Sequence, residues 1–85
     1  MSLPNYTLTV SQPGYLPTTS YDLEDTCLYD AVDAFQDELY QTAHAHDLPY
    51  FDIPSWEDIR EQLQTYREIS VLYGGYVHEM IQTSN

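Results

Sequence analysis

Between Tyr6 and Val10 apolar and polar positions alternate, with Tyr6, Leu8 and Val10 on one side and Thr7 and Thr9 on the other. A period of two, rich in β-branched residues, predicts a strand. The stretch QPGYLP follows, and two prolines around a glycine end the strand and predict a loop. The loop is expected to run to about Asp25, carrying Tyr15, Tyr21, Asp22 and Glu24.

From Thr26 the period lengthens. Leu28, Val32, Phe35 and Leu39 fall on one helical face, with Ala31 and Ala43 beside them. At about 100° per residue, Asp30, Asp33 and Asp37 fall on the opposite face. Asp25 or Thr26 is the expected N-cap, and acids in the first turn suit the helix dipole. Leu48-Pro49 ends this helix at the latest. YFDIP connects to a second helix. Ser55 and Asp58 approximate a capping box, and Trp56, Ile59, Leu63 and Tyr66 follow at i, i+3, i+7 and i+10. Glu57 and Arg60 are spaced to pair, and the helix is expected to stop near Arg67.

In ISVLYGGYVHEMI, two β-rich runs flank Gly74-Gly75, a pair able to take the positive φ of a two-residue hairpin turn. That register sets Tyr73 opposite Tyr76, Val71 opposite His78 and Ile69 opposite Met80, all on one side. Ser70, Leu72, Val77, Glu79 and Ile81 take the other side. A lone hairpin is marginal, so the N-terminal strand is expected to join it. The predicted fold is β-α-α-β-β, a two-layer α+β domain over residues 1–85. Two helices cover a three-stranded, mainly antiparallel sheet that ends in the C-terminal hairpin. The pattern leaves strand order open.

Charge changes the picture. Fourteen acids face two arginines, Arg60 and Arg67, with no lysine, for a net charge of -12. That exceeds the magnitude of about 2–8 typical of a soluble small domain, and such self-repulsion destabilises a compact chain. The same charge argues against nucleic acid or an anionic membrane as a direct partner. The composition, 42% hydrophobic and 14% aromatic, is that of a folding chain rather than an acidic disordered tail.

The N-terminal residues have neither the basic region nor the apolar run of a signal peptide, and no stretch nears about 20 apolar residues, so a cytosolic location is expected. The sequon at Asn5 is therefore read as chance. A single cysteine, Cys27, leaves no internal disulfide. In HAHD, His44 and His46 point about 200° apart on a helix and cannot share an ion, so no metal or cofactor is expected. No phosphate-binding loop or nucleophile motif is present, and the chain is not expected to be an enzyme.

The acidic face remains. Asp30 to Asp37 spans about 10 Å of helix axis and presents three carboxylates, close to the phosphate spacing of one DNA strand at about 3.4 Å. Glu38 supports this stripe, Glu57, Asp58 and Glu61 offer a second row on the other helix, and Asp22, Glu24 and Asp25 extend it from the loop. A solvated helix face is the plain alternative, and the absence of lysine weighs against it. Nine tyrosines add to the picture. Tyr29 and Tyr40 flank the acidic face, and tyrosine is a favoured interface anchor. Tyr66 and Tyr73 are assigned to the core.

Small size, extreme acidity, acid-lined helices and rim tyrosines together resemble the phage-encoded DNA-mimic inhibitors of the anti-CRISPR and anti-restriction class. The stretches LTVSQPGYLP and YGGYVHEM are also similar to small uncharacterised phage proteins, a likeness that brings no activity and no functional residue. The resemblance in charge layout implies a non-enzymatic inhibitor in the cytoplasm of a bacterial host. Its carboxylates would replace phosphates in the basic nucleic-acid groove of a host defence protein, such as a CRISPR effector or restriction enzyme. The alternative is a phage or plasmid accessory interaction module, monomer or homodimer, that binds through Leu72, Val77 and Ile81. A third reading is adaptation to a salty cytoplasm.

Overall fold

Tyr73 pairs with Tyr76 across Gly74-Gly75, and the hairpin register continues as expected through Leu72–Val77, Val71–His78, Ser70–Glu79 and Ile69–Met80. Both glycines hold positive φ, 63° and 82°, as the tight turn requires. These pairs are seen in a computed structural model that describes residues 3–15 and 17–84. The elements are β1 (Asn5–Ser11), β2 (Pro17–Leu23), α1 (Leu28–His46), a 3-10 turn (Tyr50–Asp52), α2 (Trp56–Tyr66), β3 (Glu68–Tyr73) and β4 (Tyr76–Ser84).

The α+β class holds, but among the described residues the sheet has four antiparallel strands rather than three, in the order β2-β1-β4-β3. The extra strand is β2, which lies where a loop was expected; position 16 of that expected loop is outside the described residues. Pro13 and Gly14 end one strand but also turn the chain back, with the Tyr15 N–H donating to the Gln12 carbonyl at 3.0 Å and Gly14 at φ 84°. Thr19, Tyr21 and Leu23 then oppose Val10, Leu8 and Tyr6. Asp, Ser and Thr in an edge strand blur the alternation that would otherwise mark it.

Both helices lie on one face of the sheet. Tyr6, Leu8 and Val10 of β1 and Ile69, Tyr73 and Met80 of the hairpin form a core with Val32, Phe35 and Leu39 of α1 and Ile59 and Leu63 of α2. The Tyr73 hydroxyl donates to the Pro49 carbonyl at 2.6 Å, tying β3 to the link between the helices. Tyr66 departs from expectation and is 66% exposed. It is the last residue of α2, where the chain turns away at the left-handed Arg67, so no further helical turn covers it, and it lines a hollow with Glu68, Ile69 and Ser70.

The helix ends follow local rules in part. The Ser55 hydroxyl accepts from the Asp58 N–H at 3.2 Å, the expected cap of α2. Neither Asp25 nor Thr26 caps α1, whose N-cap is Cys27 without a side-chain bond. Both expected residues are engaged elsewhere: the Asp25 N–H donates to Asn5 Oδ1, and the Thr26 N–H to the Pro4 carbonyl. These bonds moor the β2–α1 link to the start of β1.

Candidate interaction surface

The spacing of Asp30, Asp33 and Asp37 becomes an exposed ridge along α1, opposite the buried Val32, Phe35 and Leu39. The acids are not turned towards arginines. Among the described residues the ion pair is Arg60–Glu57, at 3.2 Å on α2, and Arg60 also donates to Gln64 Oε1. Arg67 lies at the other end of α2 and shares a shallow hollow with Gln82, Thr83 and Ser84. Asp37 accepts a hydrogen bond from the Gln41 amide at 2.6 Å, which leaves its charge uncompensated.

The flank of α1 towards α2 carries aromatic and polar residues at i, i+4, i+7 and i+11, each meeting either the connecting segment or the first residue of α2. Tyr29 stacks on Trp56, with ring centres 5.4 Å apart and planes 8° from parallel. Asp33 accepts from the Trp56 indole N–H at 2.7 Å. The Gln36 amide donates to the Pro54 carbonyl, and Tyr40 meets Tyr50 edge to face. Tyr29 remains 61% exposed and Tyr40 42%, while Phe51 beside Tyr50 is 85% exposed. A rail of rings thus runs beside the carboxylate ridge. Such a strip favours guanidinium groups, which stack on rings and bridge to carboxylates.

The other expected acids occupy different ground. Glu38 is half-buried on the opposite flank of α1, in a groove of about 470 Å³ floored by Leu8, Leu23 and Ala34. Burial pushes its carboxyl pKa up, and the like charge of Asp37 pushes it further. Asp22 accepts from the Thr7 hydroxyl at 3.0 Å, on the helix-free face of the sheet, while Glu24 and Asp25 sit exposed in the turn before α1. Glu57 is held by Arg60, and Asp58 and Glu61 line a second groove between α2 and β3. The two helices therefore do not present two facing rows. One continuous ridge belongs to α1, and further acids rim the grooves on either side.

Tyr50 and Phe51 were not legible as surface residues, nor half-buried Trp56 as a partner of Tyr29 and Asp33. Trp56 fits the apolar period of α2, and Tyr50 and Phe51 stand in a connector that gives no period at all. The short span between Pro49 and Pro54 is the available signal, because so brief a 3-10 turn cannot turn two large rings inward together.

No protein-family model, curated protein or solved structure matches the chain. Among the described residues, no helix is long and apolar enough to cross a membrane.

Proposed function

We propose that the protein is a non-enzymatic inhibitor whose α1 ridge enters the basic nucleic-acid groove of a host defence protein, a CRISPR effector or restriction enzyme, in the bacterial cytoplasm. The observation that carries this reading is the row of Asp30, Asp33 and Asp37, exposed and outside the Arg60–Glu57 ion pair. Three carboxylates over about 10 Å offer a cationic cleft the charge spacing of a phosphate backbone. The flanking rings of Tyr29, Trp56 and Tyr40 offer the same cleft surfaces for arginine. Opposed charges steer such an encounter, so binding is fast and weakens with salt.

The test is displacement of nucleic acid from the captured partner by wild type and by the Asp30→Asn, Asp33→Asn, Asp37→Asn triple variant. Asparagine keeps the acceptor for Trp56, so the fold is retained. The variant is expected to displace at least about tenfold less well. Equal displacement by the folded variant rejects the assignment.

One observation favours the accessory-module alternative. Leu72, 69% exposed, pairs with half-exposed Val77 on the helix-free face, and Ile81 lies on that face too. An apolar sheet face of this kind marks interfaces. A salt-insensitive dimer in light scattering supports this second reading, and a monomer removes the homodimer form of it.

A further inference from the structure

The order β2-β1-β4-β3 leaves β3 at an edge, and no strand among the described residues pairs with its outer side. The hairpin determines which backbone groups face outwards. Residues flanking a two-residue turn form a hydrogen-bonded pair, so Tyr73, Val71 and Ile69 direct their backbone groups to β4. Leu72, Ser70 and Glu68 direct theirs out from the sheet. Beside this edge lies a groove of about 460 Å³ between β3 and α2, and a second hollow of about 220 Å³ shares Gln62, Ile69 and Ser70 with it and reaches Glu79 of β4. Ile69 and Val71 form the groove's floor together with Pro54, Asp58 and Glu61 form its rim, and Glu68 lines the hollow.

Natural edge strands are usually blunted by lysine, proline, bulges or a covering element. EISVLY contains no lysine or proline, its register with β4 is unbroken, and no strand among the described residues lies beyond it. We infer that this edge is a docking site for an extended segment of a partner protein that alternates basic and apolar residues. The segment adds to β3 as a fifth strand. Its backbone bonds to Ser70 and Leu72, and its groove-facing side chains lay methylenes on Val71 and Pro54 with their charges at Asp58 and Glu61.

Charge selects this occupant over a second copy of the chain. Two copies meeting edge to edge would each bring a net charge of -12. Of the two arginines, Arg60 is engaged by Glu57 and Gln64. A basic strand relieves the repulsion that a second copy would double. The inference does not depend on the α1 ridge, because the two surfaces use different residues and different chemistry: side-chain carboxylates and rings on α1, and backbone pairing on β3.

The test is amide hydrogen exchange by NMR on the full chain. The probe is a blocked seven-residue peptide alternating lysine and valine, with blocked heptalysine as the charge-only control. The alternating peptide is expected to slow exchange at Ser70 and Leu72 by at least about tenfold, and heptalysine to leave both unchanged. Leu72→Pro removes an outward N–H that β4 does not use, and is expected to weaken binding about tenfold. An Asp58→Lys, Glu61→Lys variant, which makes the net charge less negative and leaves the strand intact, is expected to do the same. Protection confined to β2, shifts confined to α1, or equal effects from heptalysine overturn the inference. So does concentration-dependent protection of Ser70 and Leu72 without peptide, which would identify a second copy as the occupant.

Discussion

The indole N–H of Trp56 donates to Asp33 Oδ1 at 2.7 Å, joining the first turn of α2 to the acidic ridge of α1. The bond reconciles two demands on Asp33, which stays exposed while helping to set the helices side by side. The stack of Tyr29 on the same indole holds the ring from its face. The acidic ridge and the helix contact are thus parts of one structure.

This bond makes a first prediction. Trp56→Phe is expected to lower unfolding stability by about 1 kcal/mol, since it removes a hydrogen bond to an exposed carboxylate and some buried area. Asp33→Asn keeps an acceptor and is expected to cost less. Urea melts of Trp56→Phe, Asp33→Ala and the double variant test the coupling, and strict additivity would refute it.

Glu38 makes a second. Its folded-state pKa lies above the ordinary 4.5 because of burial and the charge of Asp37. The unfolded carboxyl titrates first as pH rises, so the contribution is complete below about 4.5 and is lost as pH climbs through the folded value. Glu38→Gln is therefore expected to be more stable than wild type at pH 7, with the gain vanishing below pH 4. Asp37→Asn is expected to bring the Glu38 pKa down, as read by side-chain carboxyl NMR.

His78 behaves oppositely to acid. It is fully buried on the inner face of β4, and neither ring nitrogen makes a hydrogen bond among the described residues. Burial pushes its pKa below the ordinary 6.5, and the nearby Tyr73 backbone restores only part of the shift. As pH falls below about 6.5 the unfolded chain takes up a proton that the folded chain refuses, so stability declines until the folded value is reached. His78→Phe is expected to abolish that slope and to raise stability at pH 7, because it removes unsatisfied buried polar atoms. A wild-type stability that stays flat from pH 7 to 5 in urea melts, once the carboxylate contributions are subtracted with the His78→Phe profile, contradicts it.

Gly74 and Gly75 are expected to differ. Both hold positive φ, but a Cβ on Gly74 would also collide with Leu48 Cδ1, whereas one on Gly75 meets open space. Gly74→Ala is expected to cost about 2–3 kcal/mol and Gly75→Ala about 1 kcal/mol, by thermal unfolding. Leu48→Ala in the Gly74→Ala background is expected to recover part of the loss.

The chain's own pattern determined its local structure: strand β1, both helices, the Ser55 cap and the whole hairpin register, including the inward side of Ile69, Tyr73 and Met80. It also determined that Asp30, Asp33 and Asp37 share one face, because helical period needs no partner to act. Tertiary structure alone decided the rest. Strand β2 exists because β1 offers Tyr6, Leu8 and Val10 a neighbour to pair with, and its own mixed residues carry too little alternation to announce it. Tyr66 is exposed because α2 ends with it at the left-handed Arg67, leaving no further turn to cover its ring. Asp58 and Glu61 left the expected second row for the groove beside β3, since the rotation of α2 is set by packing Ile59 and Leu63 against the sheet. Period assigns residues to a face, but only the neighbouring element decides which way that face points.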